Sequence, residues 1–243
     1  MTAVLGKRIF SALSVLQIPS TLRQCRNLHT SINRSKFFEL RTYVIKPACF
    51  KDYLDLSNEK FHLRTAHSKN NGFWLSELGG LNEVTHIWEY DDFAHRTSVR
   101  QKLALDPDWQ SQYIKTMLPY LDKQENVVLM ESPLKKTEDA PLQEGGVYEL
   151  CGYEVKKGCE DEVMQMIMSR AKLMEGLGDS KLMGLYSTEV GPNNSVYQLW
   201  NFKSLDNRQE TMKKTKDDAD GLSSHVTSMF NKIMIPSSFS FLK

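Results

Sequence analysis

Apolar and polar side chains alternate along residues 37–46 (Phe-Phe-Glu-Leu-Arg-Thr-Tyr-Val-Ile-Lys) and again along 147–156 (Val-Tyr-Glu-Leu-Cys-Gly-Tyr-Glu-Val-Lys). A period of two, rich in aromatic and β-branched residues, predicts a strand in each place. From 47 to about 69 the spacing changes. Phe50, Tyr53, Leu54 and Phe61 fall on one face at about 100° per residue, which predicts a helix, and Pro47 suits its first turn. Strands are predicted at 72–78 and 83–90, joined at Gly79-Gly80-Leu81-Asn82, because Gly and Asn tolerate the positive φ of a hairpin. A helix opening near Asp91 and Asp92 follows, since either carboxylate can cap free N–H groups. A helical stretch after Pro107 carries Trp109, Tyr113 and Met117 at a spacing of four, limited by Pro119, and 127–131 closes the unit as a strand. The same order is predicted again as helix 158–176, strands 181–189 and 195–202, helices from 204 to about 231 and a last strand near 233–241.

The recurrence is visible residue by residue. Residues 38–47 match 148–157 at an offset of 110, and Glu77-Leu78-Gly79 matches Glu189-Val190-Gly191 at 112. His86-Ile87-Trp88-Glu89-Tyr90 matches Gln198-Leu199-Trp200-Asn201-Phe202 at the same offset, and Arg96 falls on Arg208. Order and spacing therefore describe a duplicated unit. The expected organisation is a leader at 1–36, a first repeat at 37–132, a polar linker at 133–146 and a second repeat at 147–243. Each unit reads β-α-β-β-α-β, a ferredoxin-like α+β arrangement whose sheet carries helices on one face only. Two copies bury their bare faces by packing sheet to sheet.

Charge divides the chain further. Lys and Arg number 31 against 30 Asp and Glu, a formal net charge of +1. Residues 1–36 hold six basic residues and no acid, which leaves the remainder at −5. An acid-free, Ser/Thr-rich leader with scattered apolar residues has the composition of a mitochondrial transit peptide. A cytosolic chain with a basic tail is the alternative. The acidic body argues against nucleic-acid binding. No uncharged apolar run is long enough to span a bilayer, although peripheral membrane association is compatible with the leader. Of four cysteines, Cys25 lies in the leader, no CxxC pair occurs, and Cys151 reads as a small buried residue.

Candidate chemistry is sparse. His62 and His67 are five apart, about 140° around a helix, so they cannot share an ion; no metal and no cofactor are expected. Glu39, Arg41 and Tyr43 alternate on one face of the first strand. Glu149 and Tyr153 recur in the second unit, as Glu77 does in Glu189, while His86 has Gln198 as its counterpart. Pointing between the sheets, these side chains would line an internal polar pocket. Packed instead, Glu39 and Arg41 would form an inherited structural pair and His86 a hydrogen-bonded core histidine. Arg64, with Arg96 and Arg100, makes a candidate anion site, against which stands internal ion pairing or extension to the surface. Met164, Met166, Met168 and Met174 offer either an adaptable partner surface or core packing.

The strings His62-Leu63-Arg64-Thr65-Ala66-His67-Ser68, Gly72-Phe73-Trp74 and His86-Ile87-Trp88-Glu89-Tyr90-Asp91-Asp92-Phe93-Ala94-His95-Arg96-Thr97-Ser98-Val99-Arg100, with the closing residues 235–243, resemble the NipSnap family, nearest its homolog 3 branch. The resemblance runs from about Phe37 to Lys243. It implies the dimeric α+β barrel fold, duplicated in one chain, and mitochondrial association. It further implies a non-catalytic adaptor or scaffold, with partners in vesicular transport or in autophagy of damaged mitochondria. No catalytic residues come with it. The alternative function is a cofactor-free, monooxygenase-like enzyme or small-ligand binder using a polar pocket between the sheets. A barrel that closes within one chain leaves monomer and homodimer both open.

Overall fold

The computed structural model describes residues 36–216 and 221–243. Apart from Lys36, the leader expected to act as a transit peptide lies outside the described residues. The first repeat runs β1 (Phe37–Ile45), α1 (Phe50–Thr65), β2 (Asn70–Leu78), β3 (Glu83–Tyr90) and α2 (Phe93–Leu105). A π-helical turn at Trp109–Ile114 then continues into α3 (Lys115–Met117), and β4 (Leu121–Glu131) closes the repeat. The second runs β5 (Val147–Val155), α4 (Glu160–Gly176), β6 (Ser180–Val190), β7 (Ser195–Phe202), α5 (Leu205–Lys214) and β8 (Val226–Pro236).

Local signals recur at the repeat offset. Asn82 and Asn194 both take φ of 54° in the β2–β3 and β6–β7 hairpins, a conformation that Asn tolerates better than most residues. Asp92 caps α2 by accepting from the His95 N–H at 2.6 Å, and Ser204 caps α5 by accepting from the Asn207 N–H at 3.1 Å.

The strands form one closed antiparallel barrel in the order β1-β3-β2-β8-β5-β7-β6-β4. Each repeat supplies a four-stranded sheet. The sheets meet face to face, as expected, and are also stitched edge to edge, β2 to β8 and β4 to β6. Phe38, Leu40, Trp74, Ile87, Leu129, Tyr148, Leu150, Met183, Tyr186, Leu199 and Met234 fill the interior between them. The opposite row of each sheet packs under its helices.

Three boundaries differ from the sequence reading. The last strand runs from Val226 to Pro236, so helix does not continue to 231 and strand does not continue to 241, and β4 begins at Leu121 rather than near 127. The early starts of both strands have one cause. The outer halves of β4 and β8 pair on one side only, with β1 and β5, and their side chains are mostly exposed. A half-paired strand lacks the alternation that burial imposes, and such edges tolerate polar residues. Among the described residues no helix is long and apolar enough to cross a membrane.

Candidate functional site

Strand parity decides which side chains can meet. On β1 the even positions Phe38 and Leu40 face the barrel interior, so Glu39, Arg41 and Tyr43 face the helices. The β1·β3 register sets Arg41 opposite His86 and Glu39 opposite Trp88, and β2 sets Phe73 beside His86. The polar row expected between the sheets therefore lies on the other side of its sheet. The interior takes the less polar row, without Arg, Glu or His, because the helices bring partners for charged groups that the interior of the barrel does not.

Between this sheet face and α1, α2 and the π-helical turn lies a cavity of about 280 Å3. Its polar lining includes Arg41, Arg64, Arg100, His86 and the hydroxyls of Tyr43, Tyr53 and Tyr113. Trp88, Trp109, Phe61 and Phe73 supply aromatic walls. Among the described residues lining it there is no Asp or Glu. The guanidinium of Arg64 lies 3.8 Å from the ring centre of Trp88 and donates to Ser68 Oγ at 2.6 Å and to Tyr90 Oη at 2.9 Å. Both acceptors are neutral, so its charge is stacked but not neutralised. Burial pushes its pKa down. Arg41 carries its guanidinium 5.2 Å from the Tyr43 ring, and its buried Nε has no hydrogen-bond partner.

His86 shows what this arrangement does chemically. The indole N–H of Trp88 donates to His86 Nδ1 at 2.6 Å. An indole nitrogen can only donate, so Nδ1 is the unprotonated nitrogen and Nε2 carries the hydrogen. That Nε2 is buried without a partner. Burial, then the charges of Arg41 and Arg64, hold the imidazole pKa well below its usual value. The ring, stacked on Phe73 at 5.0 Å, is a fixed neutral donor. Burial also raises Tyr43, and raises Tyr113 to about 12, so neither phenol is a ready base.

The remaining sequence candidates separate. Glu39, only 1% exposed, accepts from Arg96 Nε at 3.2 Å, Arg96 Nη2 at 2.9 Å and Asn126 Nδ2 at 2.6 Å. Burial pushes its carboxyl up, but Arg96, Arg41 and Asn126 outweigh burial and hold it below its usual value. Arg96 is thereby removed from the expected anion set, and the partner of Glu39 is Arg96 rather than Arg41. Glu149 repeats the motif with Arg208 and Asn231. Glu77 and Glu189 are exposed near the ends of β2 and β6 and join neither group. Tyr153 and Gln198 line the corresponding cavity of the second repeat. Sequence reasoning missed Trp88, Tyr53, Trp109 and Tyr113. Trp88 was accessible through its period-two spacing from His86; the other three needed the helix packing.

Superposing the repeats by their offsets shows how far the two cavities differ. Cys151, Met174, Gln198 and Met212 stand where the first repeat has Arg41, Arg64, His86 and Arg100. In the second repeat Trp200 donates to Gln198 Oε1 at 2.8 Å, and Gln198 Nε2 donates one of its two hydrogens to Tyr153 Oη, so an amide stands where the first repeat has the imidazole. Burial pushes the Cys151 thiol up, in keeping with a packed rather than reactive cysteine. Among the described residues no group of three His, Cys, Asp or Glu side chains could hold a metal ion.

The NIPSNAP family model matches residues 38–134 and again 148–241. Protein NipSnap homolog 3A of Homo sapiens is 38% identical over 214 residues, covering 85% of this chain and 86% of that protein. Among solved structures, a candidate monooxygenase from Lactobacillus acidophilus NCFM matches with a TM-score of 0.60 at 13% identity, over 84% of this chain and 95% of its own. Another from Fusobacterium nucleatum gives 0.62 at 9%, over 84% and 93%. At such identities these two structures establish the shared dimeric α+β barrel fold and nothing more.

Proposed function

Since this chain belongs to the NipSnap family, a membership two matched stretches establish, we propose that it is a small-ligand-binding member whose first repeat takes an anionic aromatic molecule. One observation carries the reading: Arg41, Arg64 and Arg100 converge on an aromatic-walled cavity that no carboxylate lines. Of the three, Arg64 alone is buried; Arg41 is half-buried with Glu39 nearby, and Arg100 is exposed. A buried cation such as Arg64 without a counter-ion costs several kcal/mol, a cost that an incoming carboxylate, sulfonate or phenolate offsets. Arg41 Nε and His86 Nε2 are donors already desolvated and waiting. Binding is favoured over proton abstraction because the free lone pair of His86 is taken by Trp88 and the phenols are pushed away from ionisation. The same observation favours the ligand-binding alternative over the adaptor reading, in which the cavity has no part.

The test uses 2-naphthoate against its uncharged isostere 2-naphthamide. Calorimetric titration is expected to give one site for the acid and at least tenfold weaker binding for the amide, since a charge-assisted hydrogen bond contributes about 1.5–3 kcal/mol. Equal affinity for both, or binding of neither, refutes the proposal.

A mitochondrial destination belongs to the same proposal and rests on the acid-free basic leader. A fluorescent fusion lacking residues 1–36 is expected to lose mitochondrial localisation. An unchanged distribution would refute targeting by that segment.

A further inference from the structure

The second repeat has its own cavity, of about 270 Å3, between the β5–β7–β8 face and helices α4 and α5, and it shares no residue with the first. Its walls are unlike those of its counterpart. Met166 and Met174 of α4, Met212 of α5 and Met229 of β8 contribute four thioethers, with Ile167 and Leu222 beside them. Glu149 borders the space, but Arg208 and Asn231 already occupy its oxygens. Trp200 donates to Gln198, and Gln198 donates to Tyr153, all of them neutral groups.

Arg170 is the exception. Its Nη2 points at Met212 Sδ, 3.2 Å away, a weak acceptor for a strong donor. Its Nε is buried with no hydrogen-bond partner. A guanidinium left against sulfur, at the side of a pocket whose one carboxylate is already taken by Arg208 and Asn231, asks for one anionic head. Unbranched thioethers, which adapt their rotamers, suit a flexible chain better than a rigid ring.

We propose that this second cavity binds a straight-chain monocarboxylate, its carboxylate on Arg170 and its hydrocarbon chain along Met166, Met174, Met212 and Met229. The chemistry separates it from the first site: of its two arginines Arg208 is taken by Glu149, which leaves Arg170, and flexible thioethers replace most of the aromatic wall. Such a ligand gains affinity with each methylene that enters, about fourfold per CH2.

The experiment is calorimetric titration of the purified full chain with octanoate and decanoate, each below its micellar concentration, and with decanol below its solubility limit. Decanoate is expected to bind more tightly than octanoate, and decanol at least tenfold more weakly than decanoate. Arg170→Gln is expected to weaken decanoate at least tenfold, with circular dichroism confirming the fold, while Arg170→Lys keeps part of the affinity. Arg64→Met, which empties the first cavity of its stacked cation, is expected to leave decanoate binding unchanged. No decanoate binding, equal binding of decanol, or indifference to Arg170→Gln overturns the proposal. Loss of decanoate binding in Arg64→Met also overturns it, by moving the ligand to the first cavity. A failure of 2-naphthoate binding alone would leave decanoate binding standing, so the two sites fail separately.

Discussion

Arg64→Met is expected to weaken 2-naphthoate binding by at least about 100-fold while leaving the folded chain intact. Arg64 lies over the Trp88 ring and spends two donors on neutral hydroxyls, which leaves three N–H groups for an anion. Two charge-assisted bonds at about 1.5–3 kcal/mol each account for the expected loss. The fold is expected to survive because methionine already fills the matching position, 174, of the second repeat, where it is buried under the same kind of sheet face. Replacing a buried charge by an apolar group of similar size is often neutral or stabilising. The melting temperature is therefore expected to stay within a few degrees of the parent. His86→Gln, which copies Gln198, replaces the imidazole N–H by an amide that can turn toward Tyr43, as Gln198 turns toward Tyr153, and is expected to cost about tenfold at most. If Arg64→Met bound the acid as tightly as the parent chain, the cationic cavity would not be the site.

The largest effect on stability is expected from Arg96→Leu, about 3 kcal/mol, or roughly 6–12 °C in melting temperature for a chain of this size. Glu39 is 1% exposed and Arg96 is the only side chain donating two hydrogen bonds to it among the described residues. Removing Arg96 leaves a buried carboxylate with Asn126 and the more distant charge of Arg41. Arg208→Leu is expected to act alike through Glu149, also 1% exposed. The pH dependence identifies the cause. In the parent, the carboxyl of Glu39 is held below 4.5, its reference value. Its contribution to stability is thus present above about pH 4.5 and lost as pH falls through the folded-state value. Without Arg96 the folded-state value rises relative to the parent, because burial is opposed only by Arg41 and Asn126. The variant therefore gains less stability from ionising Glu39, so its deficit is expected to be greatest near neutrality and to shrink as pH falls. Chemical denaturation of both chains across that range measures the difference; a deficit that grew toward low pH would show that Glu39 is not the group left uncompensated.

Much of the fold could be read from the residues because duplication writes each signal twice. The Trp88/Trp200 and Arg96/Arg208 matches located equivalent strands and helices before any packing was known. What parity alone does not say is which row of β1 turns inward. Arg41 and Tyr43 do line a pocket, but on the helix side, because Phe38 and Leu40 turn the more apolar row of β1 inward; Glu39, on the same face, is taken by Arg96 and Asn126 instead. The ion pairs were legible only as an equivalence: Arg96 lies 57 residues from Glu39, and no spacing rule connects a strand to the start of a distant helix. The outer halves of β4 and β8 were invisible for a different reason. Strands paired on one side and wet on the other carry no pattern for a sequence reading to detect.

The edge-to-edge seams also set an order in time. Strand β2 is completed only by β8, with Leu78 opposite Ile233, and β4 only by β6, with Val128 opposite Val190. When the first repeat leaves the ribosome it therefore has two open edges and an uncovered apolar face, and the strand that closes one of them is the last to be made. At about 5–20 residues per second, the first half waits on the order of 5–25 seconds for its partner. Pairings between segments so far apart in the chain are slow to form, and open edges are where chains join wrongly. Protection of the nascent first repeat, by a chaperone or by delayed collapse, is thus a requirement that the closed barrel imposes on its own synthesis.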